Sequence, residues 1–290
     1  AEAYSMLGVL HTFNSTDSSY FYLSKSLVLK NKLKDYVGVA ALYTSIGTYY
    51  DKLGNANLSL KNYLTSLRLY DSLKIQKGSA GAALGAGNEF LMIKSFKQAI
   101  QYYQKAIDGY RAINSPYLSW AINNLAGVYE KLNENEKALE LYKESLNLKL
   151  QNNDTYGAVF SFDDIGVIYI KEKKYNEALT YLYQSLKMKK DNQLDNETFA
   201  NSYIHIANVL LCIKDYKKAL IYIDSLETLA NKLKANDIMC SFLKLKSDYY
   251  EGIQDYKNSL IFKNKWINIK DSLLTLDMNK QVAEAEAKYN

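Results

Sequence analysis

The chain has 290 residues, 48% hydrophobic and 23% charged, so it carries enough apolar material for a core and lacks the composition of a disordered segment. One proline and 13 glycines are few breakers for this length, which favours long helices over a sandwich or a barrel. The net charge of +5 comes almost entirely from lysines interleaved with acidic residues, which argues against a nucleic-acid-binding surface.

Groups that support catalysis or metal binding are scarce. Cys212 and Cys240 have no CxxC spacing, so we expect neither a disulfide framework nor a zinc site. We expect His11 to pack in its helix pair, and His205 with Cys212 would supply only two metal ligands. The adjacent carboxylates at 163 and 164 point about 100° apart on a helix, which does not suit an acid/base pair. The sequence therefore predicts no enzyme, no cofactor and no bound metal.

The two ends of the chain give a further expectation. The sequence begins at Ala1 and ends at Asn290, both within helical patterns, which we interpret as a piece of a longer protein. No apolar run reaches the ~18 residues that a membrane span requires.

A pattern of small residues repeats about every forty positions along the chain. Small side chains recur at intervals of 40, 40, 39, 40, 41 and 40 residues, at Ser19, Ser59, Ala99, Ala138, Ala178, Ala219 and Ser259. A second set precedes them by eleven or twelve residues, at Gly8, Gly47, Gly87, Ala126, Gly166, Ala207 and Ser247. A constant phase within a constant period indicates seven repeats of one structural unit.

Each repeat is predicted to be a helical hairpin. Apolar residues recur at i, i+3, i+4 and i+7 within each half, as on one face of an amphipathic helix. Small residues at the crossing let two helices approach closely, and a large residue four positions later fills the space beside the contact. Short polar breaks separate the halves, at 52–55, 131–135, 171–174 and 214–215. One hairpin cannot bury both of its faces, so each depends on its neighbours.

The predicted domain organisation is a single array over residues 1–290. Its repeats span 1–34, 35–75, 76–114, 115–153, 154–193, 194–235 and 236–272, and a C-terminal helix follows over 273–290.

The third repeat opens with four glycines within ten residues, at 78, 81, 85 and 87. A glycine inside a helix costs up to ~1 kcal/mol relative to alanine, so their presence needs a reason. They indicate either tight packing against the preceding hairpin, or a close-approach surface or hinge. They are not a nucleotide-binding loop, because neither GxxxxGK[ST] nor a strand-bounded GxGxxG is present.

The last repeat departs from the pattern. Lys263 and Trp266 stand where earlier repeats have apolar and small residues, which is typical of a terminal capping hairpin. The tail that follows has one apolar stripe, which favours a cap helix or the start of a coiled coil: Leu273, Leu276, Val282, Ala283 and Ala287.

The small–aromatic–small second helices and large–Gly/Ala–aromatic first helices resemble the tetratricopeptide repeat over about residues 4–270. The chain departs from that family in its period of ~40 rather than 34 residues and in lacking the proline after the second helix. Longer repeats of this kind are similar to those of kinesin light chains, as at 123–129, and of bacterial peptide-sensing regulators. The resemblance implies an all-α fold, a right-handed α-solenoid of about seven hairpins with a C-terminal capping helix.

The resemblance also implies a concave surface lined by the first helices, on which a protein or peptide partner binds. The residues carried over to this groove are Thr44, Thr48, Asn88, Trp120, Asn123, Glu130, Phe160, Asp163, Asn208, Lys244 and Asp248. The asparagines can pair with a peptide backbone, although asparagines that simply face solvent are the alternative. The two aromatic rings are of the kind that anchors interfaces. Thr44, Leu84 and Asp163 stand where a carboxylate clamp would need lysine or arginine, so an acidic C-terminal tail is not the expected ligand.

The order YKNSL…KDSLL…KQVAEAEAKY resembles the junction in Bacteroidetes-type histidine kinases or helix-turn-helix regulators that have a tetratricopeptide sensor region. We therefore predict a non-enzymatic peptide-binding scaffold, the sensor or interaction region of a larger bacterial signalling protein, which binds a peptide or its own output domain. The alternative is a structural adaptor that docks partners through its convex face or C-terminal helix. The sensor resemblance implies a location outside the cytoplasmic membrane, and the cytoplasm is the alternative.

Overall fold

The structure is a computed structural model that describes the backbone of residues 1–14 and 16–289, and their side chains except at 12–17, 276–277 and 279–290. These residues form fourteen α-helices and no strand, which confirms the all-α prediction. None of the described helices has the length and apolar character that crossing a bilayer requires. Most of the predicted tail stripe, from Leu276 to Ala287, has side chains outside the described residues.

The helices alternate between the first and second member of successive hairpins. By their contacts they divide into an N-terminal unit, Ala1–Asp154, and a C-terminal unit, Thr155–Asn290. The N-terminal unit contains α1 (Glu2–Asn14), α2 (Thr16–Lys32), α3 (Tyr36–Lys52), α4 (Ala56–Ser72), α5 (Gln76–Met92), α6 (Phe96–Ala112), α7 (Leu118–Lys131) and α8 (Asn135–Gln151). The C-terminal unit contains α9 (Thr155–Lys171), α10 (Tyr175–Asp191), α11 (Asn196–Cys212), α12 (Tyr216–Leu233), α13 (Asn236–Gly252) and α14 (Tyr256–Tyr289). The single array with its seven repeat boundaries remains a prediction.

Short turns with one left-handed residue join the helices from α2 onward. The predicted breaks lie at these turns, where Gly54 has φ 72°, Asn133 59°, Lys173 57° and Lys214 61°. A residue in this conformation reverses the chain directly after a helix and satisfies its last carbonyl groups. Successive helices therefore pack antiparallel, as a hairpin requires.

The predicted contact between the two sets of small residues is confirmed. The Ser59 hydroxyl donates to the Gly47 carbonyl oxygen at 2.9 Å, so the backbones of α3 and α4 nearly touch. A Cβ on Gly47 would lie 2.9 Å from the ring of Tyr63, the large residue four positions after Ser59. In the C-terminal unit a Cβ on Gly166 would lie 2.8 Å from Leu182 in the same way. The period of the sequence is thus the period of this packing contact.

A second hydroxyl fixes the other end of several hairpins. Ser66 donates to the carbonyl of Ala40 at 2.8 Å, and in the C-terminal unit Ser185 donates to that of Val159 at 3.0 Å. Both serines are fully buried, so these bonds leave no polar atom unsatisfied at the crossing.

The first helices form a layer within each unit. In the N-terminal unit α1, α3, α5 and α7 contact one another in succession, and in the C-terminal unit α9, α11 and α13 do so. Among the described residues of either unit, no second helix contacts another second helix. Neighbouring helices are closest on the inner side of a curved stack, so the first helices lie on the concave side of each unit.

The final helix α14 runs from Tyr256 to Tyr289 without a break. The C-terminal segment is helical as predicted, but it continues the last hairpin, so the predicted boundary at 272/273 is not a helix end. Trp266 packs against the core of the C-terminal unit, whereas Lys263 is exposed. The boundary was predicted from the end of the last repeat, but both segments share one helical period, so a single helix continues through it.

Two glycine substitutions test the close helix contact. In Gly87→Ala the added Cβ would lie 2.7 Å from the Tyr103 ring, so we expect the free energy of unfolding to fall by about 1–3 kcal/mol. Gly127→Ala is the matched control, because its Cβ meets only the Tyr142 hydroxyl at 3.6 Å, and helix propensity alone predicts a gain of about 1 kcal/mol. Chemical denaturation measures both. Equal effects of the two substitutions would contradict the packing described.

Candidate functional site

Three predicted groove residues bind tyrosine hydroxyls of their own hairpins. In each case the tyrosine lies four residues after the small residue of the second helix and its polar partner lies on the first helix. The pairs are Thr48 with Tyr63 at 3.0 Å, Asn88 with Tyr103 at 2.8 Å and Glu130 with Tyr142 at 2.7 Å. The bonds hold the three polar side chains in fixed orientations on the concave side of the N-terminal unit.

Asn88 also links neighbouring first helices. Its Oδ1 accepts from Asn124 Nδ2 of α7 at 3.0 Å, as well as from Tyr103. The Asn88 side chain is exposed, and its amide nitrogen has no partner among the described residues. The nitrogen is therefore available to donate to a bound chain. Asn124 was not predicted, although the doubled asparagine at 123–124 pointed to it.

Buried lysines occupy one repeat position, eleven residues after the small residue of the second helix. In the N-terminal unit Lys149 is fully buried, its Nζ 2.9 Å from Asn123 Oδ1 and 4.7 Å from the centre of the Trp120 ring. A buried ammonium requires such partners to offset the loss of its hydration. Asn123 and Trp120, both predicted for the groove, therefore also hold a lysine in the core.

The equivalent lysine of the C-terminal unit forms an ion pair. Lys189 Nζ lies 2.6 Å from Asp163 Oδ2 and 2.8 Å from Ser202 Oγ, and all three residues are buried. Asp163 was predicted to face a ligand, but only 6% of the residue is exposed. Its carboxylate instead neutralises the core lysine. The 26-residue separation common to 123–149 and 163–189 is the sequence pattern that corresponds to these two contacts.

Tyrosines replace the lysine at this position in the second and third repeats. Tyr70 and Tyr110 are 8% and 4% exposed, and neither hydroxyl has a hydrogen-bond partner among the described residues. Fully buried side-chain atoms without hydrogen-bond partners occur among those residues only at Asn135 and Glu172, so both hydroxyls reach solvent. Burial raises the pKa of Tyr70, and it raises the pKa of Tyr110 to about 12. Both hydroxyls are therefore protonated at neutral pH and able to donate.

A cavity of about 400 Å³ lies where these hydroxyls reach the concave side of the N-terminal unit. Its size is within the range of small-molecule pockets. Residues of α3 and α5 line it together with the two tyrosines, Ile75 and Tyr117, and Thr44 is the predicted groove residue among them. The cavity brings unpaired donors and apolar walls together in the layer where a ligand was predicted.

The four glycines of the third repeat do not share one role. Added Cβ atoms on Gly78, Gly85 and Gly87 would meet tyrosine rings, as tight packing requires. A Cβ on Gly81 would meet only the Tyr110 hydroxyl, at 3.5 Å, and Gly81 lines the cavity. Packing therefore accounts for three of these glycines, and Gly81 is part of an open surface.

The other predicted residues belong to the C-terminal unit. Phe160 is half-buried, with its ring centre 5.0 Å from that of Tyr156, and Asn208 is half-buried on α11. Lys244 and Asp248 are exposed on α13. The eleven predicted groove residues thus divide between the two units, and their role in binding remains a prediction.

The described residues contain neither a cluster of metal ligands nor a disulfide. They contain no group of three histidine, cysteine, aspartate or glutamate side chains that could hold a metal ion. Cys212 and Cys240 are free thiols. His11 stacks on Tyr22, with ring centres 5.4 Å apart, in agreement with its predicted packing role.

A buried carboxyl group lies near the concave layer. Glu89 is 2% exposed, with its Oε1 2.8 Å from the Ser59 hydroxyl, which also lies 2.9 Å from the Gly47 carbonyl. One hydroxyl proton cannot serve both oxygens, so a proton on Glu89 completes the network. Burial is the largest cause that raises the pKa of Glu89, and Asp51 raises it further.

Glu89→Gln tests this network through the pH dependence of stability. Because the folded-state pKa of Glu89 is raised above its usual value of 4.5, the folded protein binds more protons than the unfolded chain between these two pKa values. The contribution of Glu89 to stability is therefore present at acidic pH and lost as pH rises through the folded pKa. We expect Glu89→Gln to raise the melting temperature at pH 7 and to flatten the decline from acidic to neutral pH. A lower melting temperature at pH 7 would contradict the assignment.

A double-mutant cycle tests the buried ion pair. Asp163→Leu leaves Lys189 buried without its counter-charge, so we expect a loss of about 3–5 kcal/mol in the free energy of unfolding. Asp163→Leu combined with Lys189→Met should recover most of that loss, because no unpaired charge remains. Additive losses in chemical denaturation would show that the two side chains do not depend on each other.

Comparisons with known proteins identify the repeats. The tetratricopeptide repeat family matches residues 80–151 and 161–192. Response regulator aspartate phosphatase E of Bacillus subtilis (strain 168) is 26% identical over 154 residues, which cover 52% of this chain and 40% of that protein. The chain spans less than half the length of the curated relatives it matches.

Two solved structures share the fold. One is a signal transduction ATPase with numerous domains and a tetratricopeptide repeat sensor from Pyrococcus horikoshii, with a TM-score of 0.76, 13% identity, and coverage of 97% of this chain and 44% of that one. The other is a Rap protein complexed with competence and sporulation factor, with a TM-score of 0.61, 15% identity, and coverage of 94% and 75%. At these identities the likeness concerns the fold, and it confirms the predicted α-solenoid class.

Proposed function

We propose that this chain, in which residues 80–151 and 161–192 match the tetratricopeptide repeat family, is a non-enzymatic scaffold that binds a peptide segment of another protein on the concave side of its N-terminal unit. The observation that carries this proposal is the cavity in that layer, which Tyr70 and Tyr110 line with unpaired hydroxyls. Both hydroxyls reach solvent, so they can exchange water for the carbonyl oxygens of a bound peptide.

The concave layer also offers backbone recognition. The exposed Asn88 amide nitrogen lies on α5, the helix that contributes Gly81 to the cavity. An extended peptide presents a carbonyl or an N–H group at every residue, so asparagine and tyrosine side chains can pair with it without a specific sequence. The Rap protein that was solved in complex with competence and sporulation factor has the same fold, and this supports the proposal.

We place the chain in a larger signalling or regulatory protein of bacterial type. The relative named as a response regulator phosphatase, from Bacillus subtilis, supports this finer assignment, and the ATPase with a repeat sensor supports the signalling role alone. In such a protein the partner is either a separate peptide or the output domain of the same chain.

Substitution of Asn88 tests the proposal. Peptides are first selected from a random displayed library against the whole chain, and their dissociation constants are then measured by calorimetry. We expect Asn88→Ala to weaken binding about tenfold, because a bond to the peptide backbone is lost. Asn147→Ala is the control, since Asn147 is exposed on the second helix α8. Equal affinity for the wild type and Asn88→Ala would contradict the concave site, and failure to select any peptide would contradict the function.

A docking role for α14 is the second candidate. Four exposed apolar residues recur along this helix at spacings of seven, seven and four, at Leu260, Ile267, Leu274 and Met278. Such a row is typical of a helix that pairs with another helix.

Sedimentation distinguishes this alternative. It predicts self-association of the wild type that Leu260→Glu with Leu274→Glu abolishes and that Asn264→Glu, on the same helix, leaves intact. A wild type that remains monomeric at every concentration would remove self-pairing through α14 as a function.

A further inference from the structure

The cavity of the N-terminal unit coincides with a gap in the repeat pattern. The position eighteen residues before the small residue of the second helix is Ala41, Gly81, Trp120 and Phe160 in the second to fifth repeats. In the fourth repeat the Trp120 ring packs against Lys149. In the second and third repeats the side chain is a methyl group or absent, and both residues line the cavity of about 400 Å³. The Trp120 ring of the fourth repeat therefore indicates that an aromatic ring fits this position.

The residue that faces this position also differs in the second and third repeats. Where Lys149 lies over the Trp120 ring, the second and third repeats have Tyr70 and Tyr110, both more than nine-tenths buried and without hydrogen-bond partners among the described residues. Tyr117 adds a third ring, 5.9 Å from that of Tyr110, and is itself exposed. Aromatic walls favour an aromatic guest, because rings pack edge-to-face or offset with an energy beyond that of burial alone.

The mouth of the cavity carries one charge. Lys77 is the only charged residue among those that line it; it is exposed, and it has no acidic partner among the described residues. A carboxylate beside the guest is therefore favoured over a lysine or arginine, which would be repelled. The Tyr70 and Tyr110 hydroxyls reach solvent and can donate to carbonyl oxygens of the same peptide.

We propose that this cavity is a specificity subsite for one aromatic side chain of the peptide partner, whose ring fills the space that Trp120 fills in the next repeat. The guest is a phenylalanine, tyrosine or tryptophan, with an acidic rather than a basic neighbour. The subsite deepens the proposed function and rests on it, since it names which residue of the bound segment is selected.

Gly81→Trp is the decisive variant. A Cβ at Gly81 is tolerated, because its nearest neighbour is the Tyr110 hydroxyl at 3.5 Å, and the new ring would occupy the cavity as in the fourth repeat. Peptides selected against the wild type are expected to contain an aromatic residue and to bind Gly81→Trp at least about tenfold more weakly. Gly127→Ala lies outside the cavity lining and should leave the affinity unchanged.

A second variant keeps the test open if Gly81→Trp does not fold. Tyr70→Phe combined with Tyr110→Phe preserves both rings and removes only the hydroxyls, and it should weaken the same peptides about tenfold. A small probe is measured in parallel: saturation transfer from the protein to the ring protons of N-acetylphenylalaninamide is expected for the wild type and is expected to be lost in Gly81→Trp.

The outcomes separate the subsite from the function. Selected peptides without aromatic residues, or with equal affinity for the wild type and Gly81→Trp, would overturn the subsite and leave peptide binding intact. Saturation transfer that Gly81→Trp abolishes, in a chain that selects no peptide, would show that the cavity binds an aromatic ring but would overturn both peptide binding and the peptide subsite. Absence of both binding and saturation transfer would overturn both.

Discussion

The close approach of two helices at a pair of small residues is the constraint on which each hairpin depends. At Gly47 and Ser59 the gap is narrow enough for a hydroxyl to reach the opposite backbone, and Tyr63 closes it from the side. The contact recurs along the chain and sets the length of the hairpins, so neighbouring first helices fall into one layer within each unit. Because this contact recurs, side chains at equivalent repeat positions occupy equivalent places in successive hairpins.

Because the hairpins are regular, residues that depart from the repeat pattern can be identified. Lys149 and Lys189 fill one repeat position in their units, each held by a polar residue of the first helix. Tyr70 and Tyr110 replace lysine at this position where Ala41 and Gly81 replace a large ring. Ala41 and Gly81 open a single space in adjacent repeats. The tyrosines at 70 and 110 direct two hydroxyl donors towards it. A defect of packing would leave apolar walls without such donors, whereas a binding site requires both.

The sequence was sufficient for the helical hairpins because the small residues define their period and the polar breaks locate their turns. It was less informative about the site, because a repeat position indicates the layer of a residue and not its partner. Asp163 illustrates the limit: its position suits a groove, yet a lysine 26 residues later draws its carboxylate into the core. Gly81 is the opposite case, since it belonged to a glycine cluster whose other members pack against rings, and only the coordinates separate it from them.

We propose that the space left by the small residues Ala41 and Gly81 in the N-terminal unit receives a side chain of the bound partner. Intermolecular nuclear Overhauser effects in a complex with a selected peptide test this claim most directly. The account predicts effects between an aromatic ring of the peptide and the ring protons of Tyr70 and Tyr110. Effects confined to second helices or to α14, with none to these two tyrosines, would contradict it.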